Sequence, residues 1–196
     1  ASLRGNLIFP FTEKNQKLDY KEVSKNYNIN YFHEEKNVQD FFKQRLLPHK
    51  LSQNGPCIAV GDINGDGLED FIVGSAASYS PKVFLQKNNS TFTSKELFTK
   101  KEDKKFEVES MILFDVDKDN DLDLYLVSGG NQYDANSKWY QDRLLINDGK
   151  GNFINQKNRL PNLNSNGCIV RSVDFDLDGD LDLFVGGHNK PGAYPL

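Results

Sequence analysis

The 196-residue sequence predicts an all-β fold built from β-propeller blades, each a four-stranded antiparallel sheet. Three nine-residue windows, beginning at Asp62, Asp115 and Asp174, together hold half of the 28 acidic residues. Each window lies between two short apolar runs, and the first two units continue with a third apolar run, a polar turn and a phenylalanine. Four short strands in a unit of about 50 residues are typical of a propeller blade. The last unit is shorter, so we expect an incomplete propeller of two to three blades plus an N-terminal arm.

The repeat divides the chain into four predicted segments. Residues 1–50 lack an acidic window and form an N-terminal arm or a divergent partial blade, in which residues 37–47 predict a short helix. Residues 51–105 and 106–165 are two blades, which carry the first and the second acidic loop. Residues 166–196 are an incomplete blade with the third loop, so we expect a fragment of a longer protein or a chain that pairs with a partner.

Charge and hydropathy exclude two classes of partner. The 24 basic and 28 acidic residues leave a net charge of −4, which argues against a nucleic-acid-binding module. No run of about 18 apolar residues occurs, so we expect no membrane insertion. Lys118 is the only cation inside the three acidic windows. Because so many like charges repel each other on a compact fold, a divalent cation is expected to neutralise them.

The acidic windows share the pattern D-x-[DN]-x-D-x-x-x-D, which suits a hard cation. Calcium takes six to eight oxygen ligands, and a tightly curled loop brings oxygens from alternate positions to one point. Positions 1, 3, 5 and 9 supply side-chain oxygens, and position 7 supplies a backbone carbonyl. We expect about three calcium ions in each chain. The predicted ligands are Asp62, Asn64, Asp66, Leu68, Asp70, Asp115, Asp117, Asp119, Asp121, Asp123, Asp174, Asp176, Asp178, Asp180 and Asp182.

Two further positions of the loop have a predicted role. Position 6 requires a left-handed backbone, which suits Gly67 and Gly179 and, next best, Asn120. Position 8 of the second and third loops is aliphatic, and we expect Leu122 and Leu181 to point inward as anchors.

Other metal sites fit the windows less well. An EF-hand needs a bidentate glutamate at position 12 and a helix on each side, whereas Val73, Leu126 and Val185 stand there between β-rich flanks. Magnesium prefers octahedral sites that keep several waters. Transition metals favour histidine or cysteine ligands, and the windows contain neither. Calcium is therefore the predicted ion.

The segments GPCIAVGDINGDGLEDFIVG, LFDVDKDNDLDLYLVSGG and VDFDLDGDLDLFVGG resemble FG-GAP or VCBS-type repeats, found in integrin α-subunit propellers and many secreted bacterial proteins. The preceding LLPHKLSQNGP resembles the lead-in to such a blade in bacterial relatives of the cartilage acidic protein family. The resemblance covers residues 46–187. It implies a calcium-stabilised β-propeller that is extracellular, periplasmic or on the cell surface, and that usually serves as a binding module.

The sequence therefore predicts a non-enzymatic interaction or adhesion module for an unidentified extracellular protein or glycan. It contains no G-x-S-x-G motif and no phosphate-binding loop, and its three histidines are scattered. Two alternatives stay open: a scaffold fragment of a polysaccharide-processing or phosphodiester-cleaving enzyme, and a calcium-dependent lectin. In the lectin, Trp139 and Tyr140 of the insertion at 129–142 contact sugar; otherwise they are packing residues. Open sheet edges also favour a homo-oligomer.

Overall fold

The computed structural model describes residues 20–194, in which the regular structure is almost entirely β. The first sheet has the order β1-β2-β3-β4, the second has the order β5-β6-β7-β8, and the third pairs β9 with β10; all pairs are antiparallel. The strands are β1 (Ile58–Gly61), β2 (Asp70–Val73), β3 (Lys82–Gln86), β4 (Phe92–Glu96), β5 (Val108–Phe114), β6 (Asp123–Ser128), β7 (Arg143–Ile146), β8 (Ile154–Asn155), β9 (Gly167–Val173) and β10 (Asp182–Gly187). The predicted all-β fold of four-stranded blades in an incomplete propeller is confirmed. The boundaries of the four predicted segments stay predictions.

The three sheets stack face to face through their first strands. β5 lies beside β1 on one side and beside β9 on the other. All six residues of β6 are buried, because each face of the second sheet is covered. Leu124 and Leu126 pack toward the first sheet, whereas Tyr125 and Val127 pack toward the third. This alternation follows from the two-residue period of a strand, and it produces one apolar core on each side of the second sheet.

The third sheet is covered on one side only. Val170 of β9 is fully buried against the second sheet. On the other side, Val173 and Phe184 are 52% and 66% exposed, and within residues 20–194 β10 pairs with β9 alone. The described part of the chain therefore ends in an apolar sheet face and an unpaired strand edge.

The segment before β1 contains no strand from residue 20 onward, and residues 1–19 of the predicted arm lie outside the described residues. A 3₁₀ turn covers Ser24–Tyr27, and Tyr31 sets its ring edge against Phe84 of β3, with 6.2 Å between ring centroids. Phe84 is fully buried. The arm therefore covers the face of the first sheet opposite the second sheet.

The predicted helix at 37–47 is wrong in length. The structure has a single α-helical turn, α1 (Asp40–Lys43). Phe41 and Phe42 are 41% and 83% exposed, so the two phenylalanines do not form a buried face that would stabilise a longer helix. Asp40 is instead buried, and its Oδ2 accepts the backbone N–H groups of Leu51 at 2.7 Å and Ser52 at 3.0 Å.

Candidate metal centres

The three acidic loops occupy equivalent places in the three sheets. Each one connects the first strand of its sheet to the second, and position 9 of the pattern is the first residue of that second strand. Asn147 contacts both the first and the second loop, and Lys118 of the second loop pairs with Asp180 of the third. All three loops therefore lie at the same end of the stack. A repeated sequence motif has therefore become a row of repeated loops.

One hydrogen-bond network recurs in every loop. The position-1 carboxylate accepts the N–H of position 6, at 2.8 Å from Gly67, 3.0 Å from Asn120 and 3.1 Å from Gly179. The position-5 carboxylate accepts the N–H of position 7, at 2.9, 3.1 and 2.8 Å in the three loops. The position-9 carboxylate accepts the N–H of position 2, at 3.0, 3.0 and 2.9 Å. These bonds curl the backbone and turn the acidic side chains toward its concave side.

The curl requires two left-handed residues in each loop. Position 6 has φ values of 81° at Gly67, 70° at Asn120 and 89° at Gly179, as the sequence predicts. Position 4 is left-handed as well, and the sequence pattern did not reveal this. Its residues are Gly65, Lys118 and Leu177, with φ values of 72°, 64° and 61°. A leucine with positive φ is unfavourable, so the loop hydrogen bonds hold Leu177 there against its own preference.

In the second and third loops, three predicted ligands converge. Oxygens of Asp115, Asp117 and Asp123 lie within 4.8 Å of one another, and so do those of Asp174, Asp176 and Asp182. These are positions 1, 3 and 9 of the pattern. The remaining predicted ligands of these two loops, at positions 5 and 7, are not members of the groups: Asp119, Asp121, Asp178 and Asp180.

The first loop has a neutral residue at position 3. Asn64 donates through Nδ2 to Asp66 Oδ2 at 3.0 Å, while its Oδ1 accepts the Asp66 N–H at 3.2 Å. Asp62 accepts three backbone N–H groups, from Gly65, Asp66 and Gly67. This loop therefore has the same backbone curl as the others with less negative charge at its centre.

The position-9 aspartates connect the loops to the rest of their sheets. Asp70 and Asp123 are fully buried. Besides its bond to the loop, Asp70 accepts the N–H of Gln86 at 2.7 Å, and Asp123 accepts the N–H of Asn147 at 2.9 Å. Gln86 is the last residue of β3, and Asn147 directly follows β7. Burial raises the pKa of each carboxyl, and these backbone bonds oppose the rise.

Two carboxyl groups of the loops each have a buried oxygen without a hydrogen-bond donor, in Asp121 and Asp174. Burial, then the negative charges of Asp119 and Asp123, raise the pKa of Asp121 to about 6. Asp174 Oδ1 is buried and accepts no hydrogen bond, although this residue belongs to one of the converging groups. A buried acceptor without a donor is destabilising unless a ligand satisfies it. The oxygen donor set at this loop fits a hard cation such as Ca²⁺.

Two contacts between the loops involve residues that the sequence pattern did not select as site residues. Asn147, which is 5% exposed, donates through Nδ2 to the carbonyls of Ile63 at 2.8 Å and Leu122 at 3.1 Å, and so joins the first and second loops. Lys118 forms an ion pair with Asp180, which joins the second and third loops. In the sequence, Asn147 begins the turn NDGKG after β7. That pattern predicts a turn, and it does not predict that Asn147 contacts two loops.

One of the two predicted aliphatic anchors is wrong. Leu122 packs against Gly61, where a Cβ atom would stand only 2.6 Å from Leu122 Cδ1. Leu181 is 49% exposed. The residue equivalent to Gly61 in the second sheet is Phe114, which carries a side chain where the first sheet has none. The position-8 leucine is packed in the second loop and about half exposed in the third.

Two glutamates, the buried Glu107 and the half-buried Glu109, lie away from the loops at the start of β5. Glu107 is 4% exposed and accepts the Ala77 N–H at 3.4 Å, while Glu109 accepts Nδ2 of Asn54 at 3.2 and 3.1 Å. Burial, then the charge of Glu109, raise the pKa of Glu107, and burial raises that of Glu109. Glu107 and Glu109 belong to no recognisable sequence motif, so the sequence did not predict that these two acidic residues lie close together.

The aromatic residues of the insertion at 129–142 are packed. Tyr140 is 1% exposed, and its hydroxyl donates to the Tyr133 carbonyl at 3.0 Å. The Trp139 ring meets the Phe106 ring edge-on, with 5.3 Å between centroids. Lys105 and Lys138 place their ammonium groups 4.8 and 4.5 Å from the centroid of the Trp139 ring. Packing is therefore the role that the structure shows for both residues.

Comparison with known families agrees with the repeat. Residues 62–126 and 115–185 match the FG-GAP-like repeat, and the matches together extend over more than half of the chain. No curated protein matches the chain, and the narrower resemblance to bacterial relatives of the cartilage acidic protein family stays a prediction. FG-GAP-like repeats are typical of extracellular, adhesion-like β-propellers, which usually serve as non-enzymatic scaffolds. Between residues 20 and 194, no helix is long and apolar enough to cross a membrane. The chain belongs to the FG-GAP-like repeat family.

Proposed function

We propose that the protein is a calcium-binding extracellular interaction or adhesion module, in which about three structural Ca²⁺ ions occupy the acidic loops. One observation carries the proposal: three loops share one hydrogen-bond network, and in two of them three carboxylates converge within 4.8 Å. The ligands are the fifteen residues predicted from the pattern, with position 7 contributing its backbone carbonyl.

The donor set favours calcium over other ions. Every predicted side-chain ligand in the loops offers a carboxylate or amide oxygen, the kind of ligand that hard cations prefer. Each loop offers more protein oxygens than a hydrated magnesium ion ordinarily uses. Because the position-1 and position-9 residues also hold the backbone curl, an ion bound there stabilises the connection between two strands. Its role is therefore structural, and its binding is coupled to folding.

The partner is an extracellular protein or a glycan, bound by the loops and sheet faces that the calcium-stabilised blades hold in place. The uncovered face of the third sheet and the free edge of β10 also favour association of one copy with another. Exposed apolar residues on that sheet, such as Phe184 at 66% exposure, support this second mode of association. Sedimentation at increasing protein concentration would measure it, and a monomer throughout would contradict it.

Thermal unfolding with excess Ca²⁺, with excess Mg²⁺ and with EDTA tests the proposal. We expect the largest rise in melting temperature with Ca²⁺, a smaller one with Mg²⁺, and the lowest stability in EDTA. The double variant Asp174→Asn/Asp176→Asn should lose part of the calcium response. Glu69→Gln is the matched control, because Glu69 lies in an acidic window and is not a predicted ligand. Equal melting temperatures in all three solutions would overturn the proposal.

A further inference from the structure

A cavity of about 410 Å³ lies between the 3₁₀ turn Asp103–Lys105, the 3₁₀ turn Lys138–Tyr140 and the segment that follows β8. Arg143, the first residue of β7, forms part of its wall. Arg143 pairs with Leu126 near the far end of β6, whereas the acidic loop precedes the other end of that strand. The cavity is therefore separate from the candidate metal centres, and its volume is in the range of small-molecule sites.

Arg143 is a buried cation without a matched anion. The residue is 4% exposed, and its guanidinium carbon lies 4.3 Å from the centroid of Phe98 and 4.1 Å from that of Phe106. Nη1 donates to the Asp103 carbonyl at 3.2 Å, while Nε and Nη2 donate to no group. No carboxylate of residues 20–194 lies within 4.0 Å of the guanidinium. Nε and Nη2 together form the edge of a guanidinium that a planar carboxylate pairs with in a bidentate manner.

The cavity wall carries three acids and three cations, and no ion pair joins an acid of the wall to a cation of the wall. Glu102 is already paired with Lys105, which is not a wall residue, at 2.9 Å. Asp142 is buried and accepts Ser128 N–H at 2.8 Å and Tyr125 O–H at 2.9 Å. Among the described residues, Lys138, Lys157 and Asp103 form no ion pair.

The rest of the wall is rich in side-chain amides. Gln141 Oε1 is buried without a donor, so a further acceptor in the wall is unsatisfied. Amides both donate and accept hydrogen bonds, as the hydroxyl groups of a sugar do. The amide residues of the wall are Gln141, Asn155, Gln156, Asn162 and Asn164.

We propose that this cavity binds a saccharide that carries a carboxylate, with the uronate group held by Arg143, Lys138 and Lys157 and its hydroxyl groups held by the surrounding amides. Binding requires the wall to shift enough to expose Nε and Nη2, and the incoming carboxylate then accepts hydrogen bonds from these two unfilled donors. The inference deepens the proposed function by naming a ligand class, but it uses none of the acidic-loop residues. An acidic peptide would satisfy the cations and leave most of the amides unused, so it is the less suitable ligand.

Isothermal titration of the calcium-loaded full chain with a disaccharide containing one glucuronate tests the proposal. The same disaccharide with its carboxylate reduced to hydroxymethyl is the matched ligand control. We expect binding of the acid and at least tenfold weaker binding of the reduced sugar. Equal binding of both, or no binding of either, would overturn the proposal, and stronger binding of a short acidic peptide would overturn the saccharide assignment.

Variants locate the site. Lys138→Gln and Lys157→Gln remove exposed charges, and each should weaken binding roughly two- to fivefold. Lys87→Gln is the control, because Lys87 is exposed and lies outside this cavity. Arg143→Gln should weaken binding tenfold or more; where that variant does not fold, the two lysine variants still decide the question. Unchanged affinity in both lysine variants would overturn the assignment to this cavity.

The failure of this inference is distinguishable from that of the proposed function. Thermal unfolding in Ca²⁺ and in EDTA is measured on the same protein samples. Stabilisation by Ca²⁺ without uronate binding rejects only the saccharide site. Uronate binding without stabilisation by Ca²⁺ rejects only the calcium module.

Discussion

The most informative single substitution is Asp117→Asn, because its effect on the free energy of unfolding should change sign with calcium. The nearest oxygens of Asp117 lie within 4.8 Å of those of Asp115 and Asp123. At that distance, two unit charges repel each other by about 0.9 kcal/mol in water and by about 3.5 kcal/mol at an effective dielectric constant of 20. Asp117 is exposed, so the value for water is the appropriate one, and salt reduces it further.

Removing both repulsions should therefore stabilise the calcium-free protein by about 1–2 kcal/mol, which raises the melting temperature by roughly 2–8 °C for a chain of this size. With excess Ca²⁺ the same substitution removes a ligand, and each tenfold loss of affinity costs about 1.4 kcal/mol of stability. Urea or thermal unfolding in EDTA and in Ca²⁺ measures both effects. Glu69→Gln changes the charge equally in a different loop and serves as control. Destabilisation by Asp117→Asn in EDTA, or stabilisation in both solutions, would refute this reasoning.

Three further predictions concern the framework around the loops. Burial and the charge of Glu109 raise the pKa of Glu107 above its unfolded value, so the free energy of unfolding should fall as the pH rises from 5 toward 9. Glu107→Gln should remove most of this pH dependence, which urea unfolding of both proteins across that range would measure. Asn147→Ala leaves two loop carbonyls without donors and should cost about 2–4 kcal/mol in urea unfolding, whereas Gln86→Ala should cost less than about 1 kcal/mol. Leu124→Ala opens a cavity in the core between the first two sheets and should cost about 2–5 kcal/mol by the same method.

The fold was predictable because the repeat encodes it locally. Each acidic window forms the loop between two strands. The pattern of apolar residues in those flanking strands indicates which strands have both faces covered. The left-handed backbone at Asn120 followed from the chemistry of its position in the loop. The helix at 37–47 was wrong because its apolar residues suggested a buried face, and burial depends on what the rest of the fold places there.

The candidate site was only partly predictable for the same reason. The converging positions 1, 3 and 9 are close in sequence, so the pattern selected them. The bridge from Asn147 to Ile63 spans 84 residues, and no local signal indicates which turn residue reaches another sheet. Leu122 likewise packs against Gly61 of the first sheet, which is distant in sequence. Contacts of this kind require the relative placement of the sheets, which a single sequence does not contain.

Calorimetric titration of the calcium-free protein with Ca²⁺ tests the central claim most directly. We expect about three ions per chain for the unaltered protein and about one fewer for each of Asp62→Asn, Asp115→Asn and Asp174→Asn, with Glu69→Gln unchanged. Stoichiometry near three that falls in this way would establish the acidic loops as the calcium sites. A folded protein that binds no Ca²⁺, or one whose stoichiometry is unaffected by all three substitutions, would contradict the account.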